Sequence, residues 1–191
     1  MKVVLFNGSP RKEGNTYLSL NLVMDELKKA GIECEYIRIG HKRIHGCTAC
    51  GECGKNKDKK CTIQGDNMNE YIEKMIEADG IILGSPTYFA DVSAPLKALI
   101  DRAGYVCRAN GDLLQKKVGA AVVSFRRAGG MHVFSTINNF FLIAQMIVVG
   151  SSYWNVTRGR DIGDVLEDEE GIEIMKTLGA NFAEALKKLK A

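Results

Sequence analysis

The sequence predicts an α/β fold, a doubly wound, five-stranded parallel sheet in the order 2-1-3-4-5 with helices on both faces. Three observations predict it. Short apolar runs alternate with longer stretches of helical periodicity along the whole chain. The runs stop at small or turn-forming residues, as buried strands do before a crossover. Right-handed crossovers then turn this alternation into parallel pairing. At 191 residues, 46% of them hydrophobic, the chain suits one domain spanning 1–191 with a full core.

Lys2 to Asn7 reads as a buried strand. The helix after it carries Leu20, Val23, Met24 and Leu27 at i, i+3, i+4, i+7 before Gly31 stops it. Glu33 to Ile39 gives strand two, with Cys34, Tyr36 and Arg38 sharing a face, and Asp66 is expected to cap a helix striped by Met68, Ile72, Met75 and Ile76. Between them lies a cysteine-rich loop at 41–65. Ile81, Ile82 and Leu83 form strand three, ending at Gly84-Ser85-Pro86, and the next helix turns Leu96, Leu99, Ile100 and Ala103 inward. Val118 to Ser124 is strand four, Val133 to Met146 a mostly apolar helix and Ile147 to Ser151 strand five. Met175, Leu178, Phe182, Leu186 and Leu189 stripe the last helix. Five strands thus alternate with five helices, without repeat or linker, and the flavodoxin-like arrangement is the commonest five-strand solution.

A net charge of +3 over the whole chain, with no Lys/Arg run interleaved with aromatics, argues against a nucleic-acid surface. The opening run from Val3 to Phe6 is too short for a signal-peptide core, and no apolar stretch reaches the roughly eighteen residues of a membrane span. The expected location is the cytoplasm. In that reducing compartment clustered cysteines point to metal ligation or thiol redox chemistry rather than disulfides.

Four of the six cysteines, Cys47, Cys50, Cys53 and Cys61, follow the spacing CxxCxxCx7C. Two-residue gaps let one tight loop aim successive sulfurs at a common centre, and a remote fourth closes the site. CxxCxxC is a cluster-type spacing, whereas His41 and His45 upstream do not complete the paired spacing of a zinc ribbon. Iron-sulfur, zinc and a loop of free thiols are the three readings of this segment. Cys34 and Cys107, each alone in its segment, read as small core residues.

Ligands of doubly wound sheets bind at the carboxyl ends of the strands, so the loops after strands one, three and four belong together. The first, Gly8-Ser9-Pro10-Arg11-Lys12-Glu13-Gly14-Asn15-Thr16, offers small residues, hydroxyls and a cation where a helix begins. It follows neither GxxxxGK[ST] nor GxGxxG, which points to a monophosphate; an ordinary capped helix start is the plain alternative. The third-strand loop, from Ser85 to Ser93, sets Tyr88 and Phe89 at the sheet's edge, as a platform for a flat heteroaromatic ring or as an aromatic plug. The fourth, Ser124-Phe125-Arg126-Arg127-Ala128-Gly129-Gly130, adds two cations and two glycines. Arg126 or Arg127 there would stabilise an anionic ring edge or be solvated surface charge.

The strings GSPRKEGNT, GSPTYFADVSAPLKALIDR and CTACGECGKNKDKKC together resemble the iron-sulfur flavoproteins, within the flavodoxin-like NADPH-dependent FMN reductase superfamily. The resemblance spans most of the chain and weakens after about residue 150. It implies that Ser9, Arg11, Asn15 and Thr16 hold the FMN phosphate, that Pro86, Thr87, Tyr88 and Phe89 line the isoalloxazine, and that Ser124 to Gly130, with Arg126 and Arg127, close the far side. It implies further that Cys47, Cys50, Cys53 and Cys61 ligate a [4Fe-4S] cluster, although the seven-residue last gap is at the long end for the family. The implied protein is an FMN-dependent electron-transfer oxidoreductase and a homo-oligomer, dimer or tetramer. Tyr153 and Trp154 are candidates for the contact between copies or local packing residues. Lys55, Lys57, Lys59 and Lys60 would either be solvated loop charge or dock an acidic donor such as ferredoxin. A small-molecule acceptor completes this reading, and no catalytic nucleophile is expected. The alternatives are an NAD(P)H-dependent FMN or quinone reductase lacking a cluster, and a non-enzymatic flavodoxin-like electron carrier.

Overall fold

The computed structural model describes residues 1–190. Strands β1 (Lys2–Asn7), β2 (Glu33–Arg38), β3 (Gly80–Pro86) and β4 (Val118–Phe125) pair in parallel in the order β2-β1-β3-β4, and β5 (Ile147–Val148) continues the sheet beyond β4. Helices α1 (Asn15–Lys29), α3 (Met68–Glu77), α4 (Ala94–Ala109), α5 (Gly130–Ile143) and α6 (Glu169–Lys190) connect or follow the strands. A short helix, α2 (Glu52–Asn56), lies within the cysteine-rich loop. The expected 2-1-3-4-5 order is the observed one.

Alternating side chains of the strands feed two cores. Val3 and Leu5 of β1, Ile82 of β3 and Ala120 and Val122 of β4 pack against Leu20, Val23 and Leu27 of α1 and Met175, Leu178 and Phe182 of α6. Val4, Phe6, Ile81, Leu83, Ala121 and Val123 face the other way, onto α3, α4 and α5. Every central strand is apolar on both sides because helices cover both faces. The packing is close, since a Cβ at Gly80 would lie 2.6 Å from the Phe182 ring and one at Gly84 would lie 2.7 Å from Leu20.

Four details differ from the sequence reading. Strand five, expected over Ile147 to Ser151, is divided into β5 and a second segment, β6 (Val156–Arg158), and both pair with β4. Ser151 sits at the break: its hydroxyl shares one proton between the Tyr153 carbonyl, 2.6 Å away, and Asn155 Oδ1, 2.8 Å away, closing 151–155 into a turn. The chain returns to the ladder where Val123 N–H donates to the Asn155 carbonyl at 3.1 Å.

The next two differences are helix ends. Helix α5 starts and stops three residues early. Gly129 in the left-handed region (φ 84°) opens it, and Gln145 (φ 57°) lies just past its end. Helix α3 begins at Met68, and Asp66 caps it only through a 3.1 Å hydrogen bond from the Met68 N–H. Lastly, the apolar stripe of α6 stops at Leu186, because Leu189 is 50% exposed.

Two features of this architecture position the functional loops. The carboxyl ends of β1, β3 and β4 share one edge of the sheet, with β1 and β3 adjacent where the strand order reverses. Beyond β2, Gly40 presses on the loop after β1: a Cβ there would lie 2.3 Å from the Gly8 carbonyl oxygen and 2.2 Å from the Ser9 carbonyl carbon. Only glycine permits that approach. Among the described residues, no helix is long and apolar enough to cross a membrane.

Candidate functional site

At the strand ends a cavity of about 440 Å³ opens between three loops and a fourth segment. Ser9, Arg11, Asn15 and Thr16 line it from the first loop, Pro86, Thr87 and Tyr88 from the second, and Ser124 and Arg126 from the third. Its floor begins where Asn7 turns back, accepting the Ser9 N–H on its side-chain oxygen at 2.7 Å. Ser9 Oγ in turn accepts the Arg11 N–H at 3.2 Å. Helix α1 starts from Gly14 with no side-chain cap and no acid in its first turn. Its partly positive end thus faces the cavity without an internal counter-charge, the arrangement that binds anions.

The fourth wall is Gly159, Arg160 and Asp161, which the sequence reading did not identify. Asn15 holds this segment. Its amide donates to the Asp161 carbonyl at 2.9 Å and accepts the Gly163 N–H at 3.0 Å. Arg11 adds a bond to the Arg160 carbonyl at 3.2 Å. The backbone N–H groups of Asp161 and Arg160 converge on Asp164, and they hold its carboxyl below the usual range. The sequence signal was Gly159 and Gly163 flanking three residues, two of them charged, Arg160 and Asp161. Ser124 sits deeper, in a buried hydroxyl triad with Ser19 (3.2 Å) and Thr157 (3.0 Å) that ties α1 to β4 and β6.

Three candidates lie outside this lining. Phe89 is 99% exposed, because left-handed Ala90 (φ 71°) and the Tyr88 N–H to Asp91 carbonyl bond turn the loop outward. Arg127 is exposed beyond the rim. Gly130 is buried against the Phe125 ring, where a Cβ would come within 2.9 Å. Within the lining, Thr87 is the telling residue, since its hydroxyl oxygen is buried with no hydrogen-bond partner in the protein. A polar ligand edge in the cavity would supply one.

The four clustered cysteines line a second cavity, of about 250 Å³. Cys47 and Cys50 are exposed, Cys53 is half-buried and Cys61 is buried. Left-handed Ala49 (φ 53°) and Gly51 (φ 76°) wind the loop tightly. The Ala49 N–H points at Cys47 Sγ, 3.4 Å away. The Glu52 N–H, aided by the Thr62 hydroxyl, pulls the Cys50 thiol below its ordinary value, while burial pushes Cys53 up. Asn69 of α3 pins Cys61 by exchanging hydrogen bonds of 2.8 and 2.9 Å with its backbone. Asn110 donates to the Cys53 carbonyl at 3.3 Å and accepts the Lys59 N–H at 3.0 Å.

The closing wall is α4, which presents Arg102, Tyr105 and Val106. Arg102 is buried and joins Asp66 at 2.5 Å. Sequence reading passed over both roles, since a helical Arg ordinarily faces water. Burial pushes the Asp66 carboxyl up, but Arg102 and the N–H groups of His45 and Met68 outweigh it and hold the group below 3.8.

The donor set lining the second cavity is thiol alone. His45 turns its Nδ1 to the Gly46 carbonyl at 2.7 Å. Among the described residues no three His, Cys, Asp or Glu side chains converge as ligands of a single ion. The isolated cysteines behave as expected of packing residues. Cys107 is buried, its thiol pushed up to about 12, and Cys34 packs half-buried beside α1.

A parallel sheet in this order, with an anion-binding helix start and a ring-sized opening between the loops after β1, β3 and β4, defines a flavodoxin-like flavin-dependent oxidoreductase. The chain belongs to the NADPH-dependent FMN reductase family, whose model matches residues 1–161. It is 41% identical over 196 residues to an iron-sulfur flavoprotein of Methanocaldococcus jannaschii, covering all of both chains. It is 37% identical over 154 residues to the iron-sulfur flavoprotein of Methanosarcina thermophila, covering 80% of this chain and 78% of that one. Among solved structures, the NAD(P)H:quinone oxidoreductase from Methanothermobacter marburgensis superposes with a TM-score of 0.69 at 16% identity, covering 95% of this chain and 96% of that one. An archaeal flavodoxin superposes at 0.63 and 16% identity, covering 98% and 99%. These two likenesses concern the fold.

Two expectations follow. Thr87→Val removes a buried hydroxyl that has no protein partner, so the melting temperature of the flavin-free protein holds or rises. FMN affinity, read by fluorescence titration, falls about tenfold, or about 1.4 kcal/mol. Asp66→Asn strands the buried Arg102 charge and costs about 3–5 kcal/mol at neutral pH. The native Asp66 pKa is depressed, so its stabilisation is present above 3.8 and is lost as pH falls through the native value. In denaturant unfolding, the gap between wild type and variant is therefore full at pH 7 and narrows below pH 3.8.

Proposed function

We propose that this protein is an FMN-dependent electron-transfer oxidoreductase in which Cys47, Cys50, Cys53 and Cys61 hold a [4Fe-4S] cluster that exchanges electrons with FMN. The observation that carries the reading is that all four thiols, and no carboxylate or imidazole, line one cavity, where backbone and side-chain N–H groups donate to the sulfurs. Such a donor set suits thiolate-ligated iron, whose sulfurs accept hydrogen bonds. The names of the iron-sulfur flavoprotein relatives add support.

When bound, the cluster supplies one-electron chemistry and FMN links one- to two-electron chemistry. The protein's own residues bind, orient and tune. Ser9, Thr16 and the open end of α1 would hold the phosphate, with Arg11, Arg126 and Arg160 contributing charge. Pro86, Thr87 and Tyr88 would flank the ring. Asn15 and Ser124 serve mainly to fix the walls, through the 159–163 segment and the hydroxyl triad.

Lys57, Lys59 and Lys60 are exposed beside the cysteine cavity, while Lys55 is paired with Glu52 at 2.7 Å. Three exposed lysines against one exposed acid, Asp58, make a net basic segment that fits an acidic donor such as ferredoxin. Exposed Phe89 and Tyr88 at the flavin rim, with Tyr153 and Trp154, half exposed and in tilted contact (ring centroids 4.7 Å), fit a homo-oligomer. The acceptor in this reading is a small molecule reaching the flavin from the open side.

Iron, acid-labile sulfide, zinc and FMN per chain, measured on protein purified without oxygen, test the reading. Four irons, four sulfides and one FMN are expected for a [4Fe-4S] flavoprotein. FMN with no iron after anaerobic reconstitution instead selects an NAD(P)H-dependent FMN or quinone reductase. Reversing the charge of Lys57, Lys59 and Lys60 is expected to flatten the salt dependence of electron transfer from reduced ferredoxin. An unchanged slope removes that donor.

A further inference from the structure

Arg102 is 1% exposed and sits midway along α4, yet its guanidinium spends its bonds on the cysteine loop rather than on its own helix. Nε–H donates to Cys61 Sγ at 3.2 Å. One terminal nitrogen donates to the His45 carbonyl at 3.1 Å and to Asp66 Oδ2 at 2.5 Å, and the other to the Ile63 carbonyl at 3.0 Å. The planar fork therefore reaches the chain just before the first cysteine, at the last cysteine and on both sides of the return to α3. A lysine ammonium has neither the span nor the number of donors to do this.

A structural pin would need only the oxygen partners. Arg102 also aims a charged N–H at a sulfur, and it does so in the wall of the cavity that the four thiols share. Cys61 is the buried member of the four, so water screens that charge least there. Hydrogen bonds to ligand sulfurs and nearby charge are the protein's main levers on the potential of an iron-sulfur centre, and both favour the more negative, reduced state.

We infer that Arg102 is a positioning residue of the cysteine site, holding Cys61 in place and raising the reduction potential of the group those thiols bind. The inference rests on the cluster reading above.

The test compares wild type, Arg102→Lys and the charge-balanced pair Arg102→Gln with Asp66→Asn, each reconstituted without oxygen. Iron and sulfide are counted, far-ultraviolet circular dichroism checks the fold, and a spin-resonance redox titration gives the potential. Arg102→Lys is expected to hold iron at a more negative potential than wild type. The double variant, which loses the N–H bond to Cys61 with no net change of charge, is expected to shift the reduction equilibrium toward the oxidised state by about tenfold, about 59 mV for one electron. Iron lost from both variants, with wild type loaded and the dichroism unchanged, would count for the positioning role. Iron retained at the wild-type potential in both variants would overturn the inference alone. Wild-type protein that takes up no iron would overturn the cluster reading and the inference with it.

Discussion

A parallel sheet covered by helices on both faces confines polar chemistry to the ends of its strands. From Val3 to Asn7 the side chains of β1 are fully buried, and β1 pairs with β2 on one side and β3 on the other. No polar group along that stretch of β1 reaches water, so this sheet presents backbone N–H groups and side chains to a ligand at its strand ends, in the segments after β1, β3, β4 and β6. The glycine contacts follow from the same constraint. Gly80 and Gly84 let α6 and α1 settle onto the sheet, and Gly40 lets the end of β2 bear on the Gly8-Ser9 turn.

Helix α4 connects the two sites. It starts at Ala94, just after the loop that carries Thr87 and Tyr88, and its second half brings Arg102, Tyr105 and Val106 to the cysteine cavity, with Asn110 just past its end. The loop after β3 and the cysteine wall are therefore joined by one helix buried through Leu96, Leu99, Ala103 and Val106. A long segment with little regular structure is thus held against α3 and α4 by a few polar contacts from Asn69, Arg102 and Asn110.

Most of the fold was legible because its signals are periodic. The stripes of α1, α4 and α6 and the apolar runs of β1, β3 and β4 are repeated patterns, and they placed the strand order and three of the four walls of the cavity at the strand ends. What was missed depends on single side chains making contacts distant in sequence. Ser151 closing the turn at the edge-strand break, Asn15 holding residues 159–163 and Arg102 reaching Cys61 are pairings that no local pattern announces. The αL turn at Ala90 likewise swings Phe89 away from the cavity although its neighbour Tyr88 stays in the lining. The cysteine spacing was readable for the opposite reason, since all four thiols belong to one short segment.

The divided edge strand affects how copies of this chain can meet. β5 and β6 are two and three residues long and are separated by the turn at 151–155. An edge this broken offers no continuous row of free N–H and C=O groups, so a second sheet cannot extend it by strand addition. The same turn carries Tyr153 and Trp154 into solvent. Association along this edge is thereby left to side-chain surfaces, which can bring two molecules together without fusing their sheets into one.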